Sequence, residues 1–385
     1  MKTMEPESEA ELAAILAGAE APFRVQGGGT RPVGGARDGV PLTTRRLSGI
    51  TLYEPGALTM VARAGTPLAE IEATLAAEGQ RLAFEPMDHR GLLGTSGEPT
   101  IGGVFAANVS GPRRIQVGAA RDFLLGVRFV DGRGQVIRNG GRVMKNVTGY
   151  DLVKLMAGSF GTLGVLTELS FKVLPGAKSA GTVEITGQDD ASAITALSRA
   201  LASPFEVSGA AHLPGGGDGP ARTLIRLEGS QGSVAYRAGR LQEALAQFGD
   251  LGFDHDGEAV AGIWRDLRDL RRFHGRDGDV WRLSVKPSDA PGIVAALPGS
   301  EAIYDWGGGL VWLLVPRGTA PAKIRTPLAE TGGHATRIRG EAGGGTFQPL
   351  PAPVAALQEG LRRKFDPRGL LNPGLMDGPA QMASD

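Results

Sequence analysis

Pro99-Thr-Ile-Gly-Gly-Val-Phe-Ala-Ala-Asn-Val-Ser-Gly-Pro-Arg-Arg114 places small residues where a large molecule can lie against bare backbone. Three other glycine-rich stretches accompany it. Arg24-Val-Gln-Gly-Gly-Gly-Thr-Arg-Pro-Val-Gly-Gly35 follows a short strand reading at Pro22 to Val25. Gly141-Arg-Val-Met-Lys-Asn-Val-Thr-Gly-Tyr-Asp151 and Gly158-Ser-Phe-Gly-Thr-Leu-Gly164 complete the set. A glycine loop gives up side-chain packing and raises the entropy cost of folding, so something must need the exposed backbone. Successive backbone N–H groups can converge on one anion. Several separate Gly/Ala walls imply an extended guest rather than a single phosphate. Triplets at 215–217, 307–309 and 343–345 show that Gly27-Gly28-Gly29 alone would prove little.

Two common nucleotide loops do not fit. G-x-G-x-x-G, counted from Gly27 and Gly29, lands on Pro32, and Pro-Val-Gly-Gly starts a helix poorly. The nucleoside-triphosphate loop needs Gly-Lys, a dipeptide absent from the chain.

The 385 residues exceed one compact core, and two domains are expected. Charge is balanced, 41 Lys+Arg against 41 Asp+Glu, which argues against a nucleic-acid function. With no cysteine the chain cannot ligate an iron–sulfur cluster, form a disulfide or use a thiol nucleophile. No secretory signal is visible from Met1 to Leu12. The apolar run Leu310-Val-Trp-Leu-Leu-Val315 has strand length and predicts no transmembrane segment. The chain reads as cytoplasmic, membrane-peripheral only through a partner.

Ser8 with Glu11 forms a capping-box pair and predicts a helix over 8–18. Leu58 to Ala64 alternates like a strand; Thr66 as N-cap with Pro67 then opens a helix whose stripe is Leu68, Ile71 and Leu75, ending near Gly79. Residues 85–118 read as a loop-rich region, dense in glycine and nearly free of helical periodicity. Strands are expected at 123–130 and 135–138 around Asp131-Gly-Arg-Gly134, a short helix at 150–156, and a strand from Val165 to Val173 ending at Pro175. Beyond 175–181 the pattern predicts strands 182–186, 222–229, 280–286 and 309–315 and helices 190–202 and 233–248: an antiparallel sheet with helices on one face. An amphipathic helix spans Val354 to Phe365.

The string Pro99 to Arg114, with Arg121-Asp122, Met144-Lys-Asn-Val-Thr-Gly-Tyr-Asp-Leu152 and Phe365-Asp-Pro-Arg-Gly-Leu-Leu-Asn-Pro-Gly374, resembles the vanillyl-alcohol oxidase (PCMH-type) FAD-binding flavoproteins. Within them it is most similar to the FAD-binding subunits of bacterial glycolate oxidases. The likeness runs from about residue 5 to 175 and returns at 365–374. It implies an α+β fold: a PCMH-type FAD-binding domain of two α+β subdomains over 1–176, an α/β cap domain with an antiparallel sheet over 177–345, and a helix and tail over 346–385 returning to the FAD domain.

Carried onto this chain, the resemblance implies that Gly27, Gly28, Gly29 and Thr30 supply N–H groups to the FAD pyrophosphate. Thr100, Ile101, Gly102 and Gly103 form a second wall. Gly161, Gly164 and Val165 lie near ribose and adenine, Asn108 and Ser110 nearer the flavin ring, and Asn372 approaches the ring from the tail. Members with covalent flavin carry His at the end of the first loop, where this chain has Gly29-Thr30; without cysteine as well, FAD is expected to be non-covalent.

Five scattered histidines show no metal spacing, so no metal is expected. His89 is the candidate general base, and Lys145-Asn146 reads as a structural pair. Arg113 and Arg114 either hold a substrate carboxylate or line phosphates. His255 reads as solvated, and the run Arg265 to Arg276 mostly as a helix and loop face in water. The Gly-Asp-Gly-Asn-x-His signature of related metal-assisted hydroxyacid dehydrogenases is absent, which argues against unaided oxidation. The resemblance therefore implies a FAD-binding subunit acting with a catalytic flavoprotein subunit and an iron–sulfur subunit on a small 2-hydroxyacid, glycolate to glyoxylate. A free-standing FAD-dependent oxidase of another small alcohol or acid, or a non-catalytic assembly subunit, are the alternatives.

Overall fold

The structure is a computed structural model that describes residues 2–34, 38–142, 149–216, 219–341 and 345–376. The sequence motif at Lys145-Asn146 lies outside the described residues, as do parts of the 215–217 and 343–345 triplets. The chain divides into two compact units, one of residues 1–110, 119–176 and 349–385, the other of 111–118 and 177–348.

The first unit opens with helix Glu9–Ala17. The Ser8 hydroxyl accepts from Glu11 N at 3.1 Å, and the Glu11 carboxylate accepts from Glu7 N at 2.7 Å. Leu12 and Leu16 go fully into a core with Phe23, Leu42, Val165 and Leu371. Strands Phe23–Gln26 and Val40–Thr43 pair in parallel, and Leu371 bridges to Phe23. A five-stranded antiparallel sheet follows, in the order Ile50–Glu54, Thr59–Arg63, Val165–Lys172, Leu124–Val130, Val136–Gly140. The turn at Asp131 works as its sequence suggests: Oδ1 accepts from Arg133 N and Gln135 N, both at 2.9 Å.

One local expectation fails for a physical reason, and another gains detail. Thr66 does not cap the helix Leu68–Ala77; its hydroxyl donates to Arg63 O at 2.7 Å and accepts from Gly49 N at 3.0 Å, pinning one loop to another. The stretch 85–118 is not all loop. It holds the one- to two-turn helices Arg90–Leu93, Ile101–Ala106 and Arg114–Val117, too short to show a 3.6-residue period.

The second unit is built on an eight-stranded antiparallel sheet. Its order is Leu251–Asp254, Ser179–Thr186, Arg222–Gly229, Gly209–Leu213, Glu301–Asp305, Leu310–Val315, Asp279–Ser284, His334–Arg339. Val183, Ile185, Ile225 and Leu227 form one core with the helices Asp190–Leu201 and Gln231–Leu245. The other face is also covered, against expectation. Helix Gly257–Arg268 buries Val260, Trp264 and Leu267 on Ala211 and Leu224. Alternation requires this, because Leu224 and Ile225 point to opposite faces and both are apolar. The run from Arg265, read mostly as a face in water, is therefore partly core.

Candidate cofactor site

The first unit brings together segments that are far apart in sequence. Gly27 and Gly28 lie on the 97–100 loop so closely that a Cβ on Gly27 would overlap the Thr100 hydroxyl, and one on Gly28 the Glu98 carbonyl. Gly97 packs back on the Gly28 carbonyl in the same way. Thr43 Oγ1 donates to Gly27 O at 2.8 Å, and Thr95 Oγ1 to Thr30 O at 3.0 Å. These bonds take up carbonyls and leave donors. Among the described residues, none accepts a hydrogen bond from the backbone N–H of Gly28, Gly29 or Thr30. Gly29 sits at φ +75 with open space where its Cβ would be. Three consecutive free donors beside open space are what an anionic phosphate requires, and this loop fits the diphosphate of a dinucleotide.

The second predicted wall differs. Thr100 caps helix Ile101–Ala106, accepting from Gly103 N at 3.3 Å, while Ile101 N donates to Thr66 O at 3.0 Å and Gly102 N to Ala64 O at 2.8 Å. The N–H groups of Ile101, Gly102 and Gly103 are thus spent inside the protein. Gly102 is glycine because a Cβ would stand 2.6 Å from the Ala64 carbonyl.

Asn372 ties the tail to both neighbouring segments. Its Oδ1 accepts from Val25 N at 2.8 Å, and Nδ2 donates to Phe160 O at 2.9 Å and Val25 O at 3.3 Å. The side chain is buried, and these bonds occupy both amide hydrogens, so it positions loops. Gly161, at φ +69, passes 3.2 Å from that amide, measured from an ideal Cβ. Gly164 and Val165 serve the core: a Cβ on Gly164 would meet the Phe129 ring at 2.5 Å, and Val165 is buried with Leu12 and Leu16. Asn108 Oδ1 accepts from Arg121 N at 2.9 Å, and Ser110 Oγ accepts from Ala120 N at 2.9 Å. Asn108, Phe160 and Asn372 all hold left-handed φ values of 46 to 53, a concentration of strained backbone in this unit.

His89 is buried, with its ring held at both ends: Nε2 accepts from Arg31 Nε at 3.1 Å, and Nδ1 lies 3.2 Å from Met87 O. That arrangement corresponds to the Nδ1–H tautomer and makes His89 a brace for Arg31. Arg31 in turn stacks on Phe160, 5.2 Å from the ring centroid, and brings a cation to the glycine loop. Arg90 holds Asp88 at 2.9 Å and Glu98 at 3.1 Å. Burial works to raise the Asp88 pKa, but the Arg90 hydrogen bonds and charge, with His89, hold it below the usual carboxylate range. Arg31, Phe160 and Glu98 had no sequence signal beyond lying in or near the glycine strings.

Arg113 and Arg114 belong to the second unit. Arg113 is buried in a bidentate pair with Glu228, at 2.8 and 3.0 Å, so its charge is already matched. No group of His, Asp and Glu able to hold a metal occurs among the described residues. No helix of the described residues is long and apolar enough to cross a membrane.

Residues 2–140 match the model of the FAD binding domain family. Over 92% of its length the chain is 41% identical to glycolate oxidase subunit GlcE of Escherichia coli K12, covering 92% of that protein. It is 31% identical to D-lactate dehydrogenase of Archaeoglobus fulgidus over 45% of this chain and 38% of that one. Glycolate oxidase subunit GlcD of Bacillus subtilis is 32% identical over 40% of this chain and 32% of its own. An alkyldihydroxyacetonephosphate synthase structure superposes with a TM-score of 0.70 at 17% identity, over 96% of this chain and 76% of that one, a likeness of fold alone. The fold is the PCMH-type FAD-binding fold, of mixed α+β class. The chain belongs to the GlcE family of FAD-binding oxidoreductases, and its cofactor is FAD.

Proposed function

We propose that the chain is the FAD-binding subunit of a glycolate oxidase, working beside a catalytic flavoprotein subunit and an iron–sulfur subunit. The near full-length identity to GlcE carries this reading. When bound, FAD would supply a two-electron redox centre within the complex.

The chain's own residues bind and orient. Gly28, Gly29 and Thr30 donate to phosphate oxygens without having to break existing bonds. Arg31, braced by His89 and Phe160, adds positive charge. Thr100–Gly103 shape the second wall, and Asn372 fixes the end of strand Phe23–Gln26 against the 159–161 turn. Asn108 and Ser110 order the loop leading to residue 120, while Gly161, Gly164 and Val165 seat the adjoining turn and strand. The FAD is held non-covalently, residues 177–345 form the cap, residues 346–385 return to the FAD domain, and any membrane association comes through partners. The missing metal-site signature supports assigning glycolate oxidation to the partner flavoprotein.

The test is the flavin content of the purified chain and its effect in the complex. Acid-extractable FAD in the chain, and glycolate oxidation restored when the chain joins partners lacking it, are the expected results. A chain that takes up no FAD overturns the reading.

A further inference from the structure

The second unit contains a cationic cluster that the FAD loop does not use. Trp306, Gly307 and Gly308 have φ of 52, 66 and 98 in succession, and for the bulky tryptophan this is costly backbone. The strain fixes one indole. Trp306 is 4% exposed, its Nε1 donates to Gly111 O at 3.0 Å, and its backbone N donates to Asp305 Oδ1 at 2.6 Å. Gly308 admits no side chain, since a Cβ would stand 2.8 Å from Ile194.

Two guanidinium groups lie on that indole: Arg114 at 4.2 Å from the ring centroid and Arg282 at 5.2 Å. Each gains from the ring, but the two cations repel each other. The nearby Arg113 is matched by Glu228. Arg282 is not: among the described residues, none accepts a hydrogen bond from it, and its side chain remains partly accessible. Burial and then the Arg114 charge pull its pKa down to about 10, with Asp305 opposing. At neutral pH the group is still a cation, with five N–H donors in a planar fork and no acceptor. An anion relieves this arrangement, and a carboxylate matches the fork bidentately.

We propose that Arg282, with Arg114 on the same Trp306 indole, forms a binding site for the carboxylate of a small acid. The choice of glycolate as that acid rests on the glycolate oxidase reading; the carboxylate site itself rests on the arginine geometry.

The test is calorimetric titration of the full-length chain, as purified, with glycolate, acetate, ethylene glycol and inorganic phosphate. Glycolate and acetate should bind while ethylene glycol, which lacks the carboxylate, should not. Arg282→Gln should weaken glycolate binding at least tenfold. Arg282→Lys, which keeps the charge and loses the fork, should weaken it about threefold and secures the test if the glutamine variant does not fold. The proposal is overturned if the wild-type chain binds no carboxylate, if either folded variant binds glycolate unchanged, if ethylene glycol binds more tightly than acetate, or if Arg282→Gln weakens phosphate binding more than glycolate binding. Flavin content of the same samples keeps the two readings apart. A flavin-loaded chain indifferent to Arg282→Gln sinks the carboxylate site alone; a chain unable to take up FAD that still binds glycolate through Arg282 sinks the FAD-subunit reading alone.

Discussion

Gly27–Thr30 and Thr100–Gly103 look alike in composition and do opposite things with their backbones. In the first loop Thr43 and Thr95 bond the Gly27 and Thr30 carbonyls, and among the described residues none accepts from the N–H groups of Gly28, Gly29 and Thr30. The second donates through Ile101, Gly102 and Gly103 to Thr66, Ala64 and Thr100. A glycine string therefore does not by itself mean an anion cradle. What matters is whether neighbouring segments have already claimed its donors, as they have those of Ile101, Gly102 and Gly103.

Within the first loop the glycines also differ, and mutation separates them. Gly28→Val should have the largest effect: its side chain runs into the Glu98 carbonyl, so the loop cannot close and FAD retention is lost, read as absent flavin absorbance after gel filtration. The loss then comes from a collision within the protein rather than from a side chain standing in the ligand's place. Gly29→Ala meets no protein atom within 4 Å and costs about 1 kcal/mol for the left-handed backbone. Its flavin affinity should drop several-fold while the melting temperature barely moves. If Gly28→Val keeps FAD, the packing account of that glycine is wrong.

Asn372→Ala comes next. Removing three buried hydrogen bonds leaves backbone groups of Val25 and Phe160 unpaired, at about 2–3 kcal/mol, and should loosen FAD as well. Urea unfolding followed with flavin fluorescence measures both, and flavin loss without destabilisation would point to direct ring contact instead. Thr100→Ala removes the cap on helix Ile101–Ala106 and should cost about 1 kcal/mol by the same measurement. FAD affinity should hardly change if that wall supplies only shape.

The smallest effect lies in acid. Burial tends to raise the Glu9 pKa, but hydrogen bonds from Arg128 and from Thr167 at 2.6 Å, with the Arg128 charge, lower it below the usual carboxylate range. A lowered carboxylate contributes stability that is present above the unfolded pKa and lost as pH falls through the folded one. Glu9→Gln should therefore lower stability by a few tenths to 1 kcal/mol at neutral pH and narrow the gap to wild type below pH 4. Thermal melts across that range decide it.

The fold was legible where local chemistry and periodicity agree. Ser8 and Glu11 announce the first helix, the alternation from Val165 to Val173 a central strand, and the ordered glycine strings the FAD domain. Where elements are short or buried on both faces the signal fades. The helix Ile101–Ala106 is under two turns, and the strands Gly209–Leu213 and Glu301–Asp305 carry no flanking pattern strong enough to separate them from loop. Thr66 has the residue type of a cap and makes a different bond, because Gly49 and Arg63 reach it first.

For the sites the division is sharper. The sequence by itself determined that no thiol or iron–sulfur chemistry resides here, and which loops have a backbone bare enough for a dinucleotide. Only the tertiary structure decided which donors stay free among the described residues, that Asn372 and His89 are hydrogen-bonded to neighbouring segments, that Arg113 is paired with Glu228, and that Arg282 reaches the same indole as Arg114. The reason is physical: residue type fixes what a group can donate or accept, but whether it is already satisfied depends on partners hundreds of residues away.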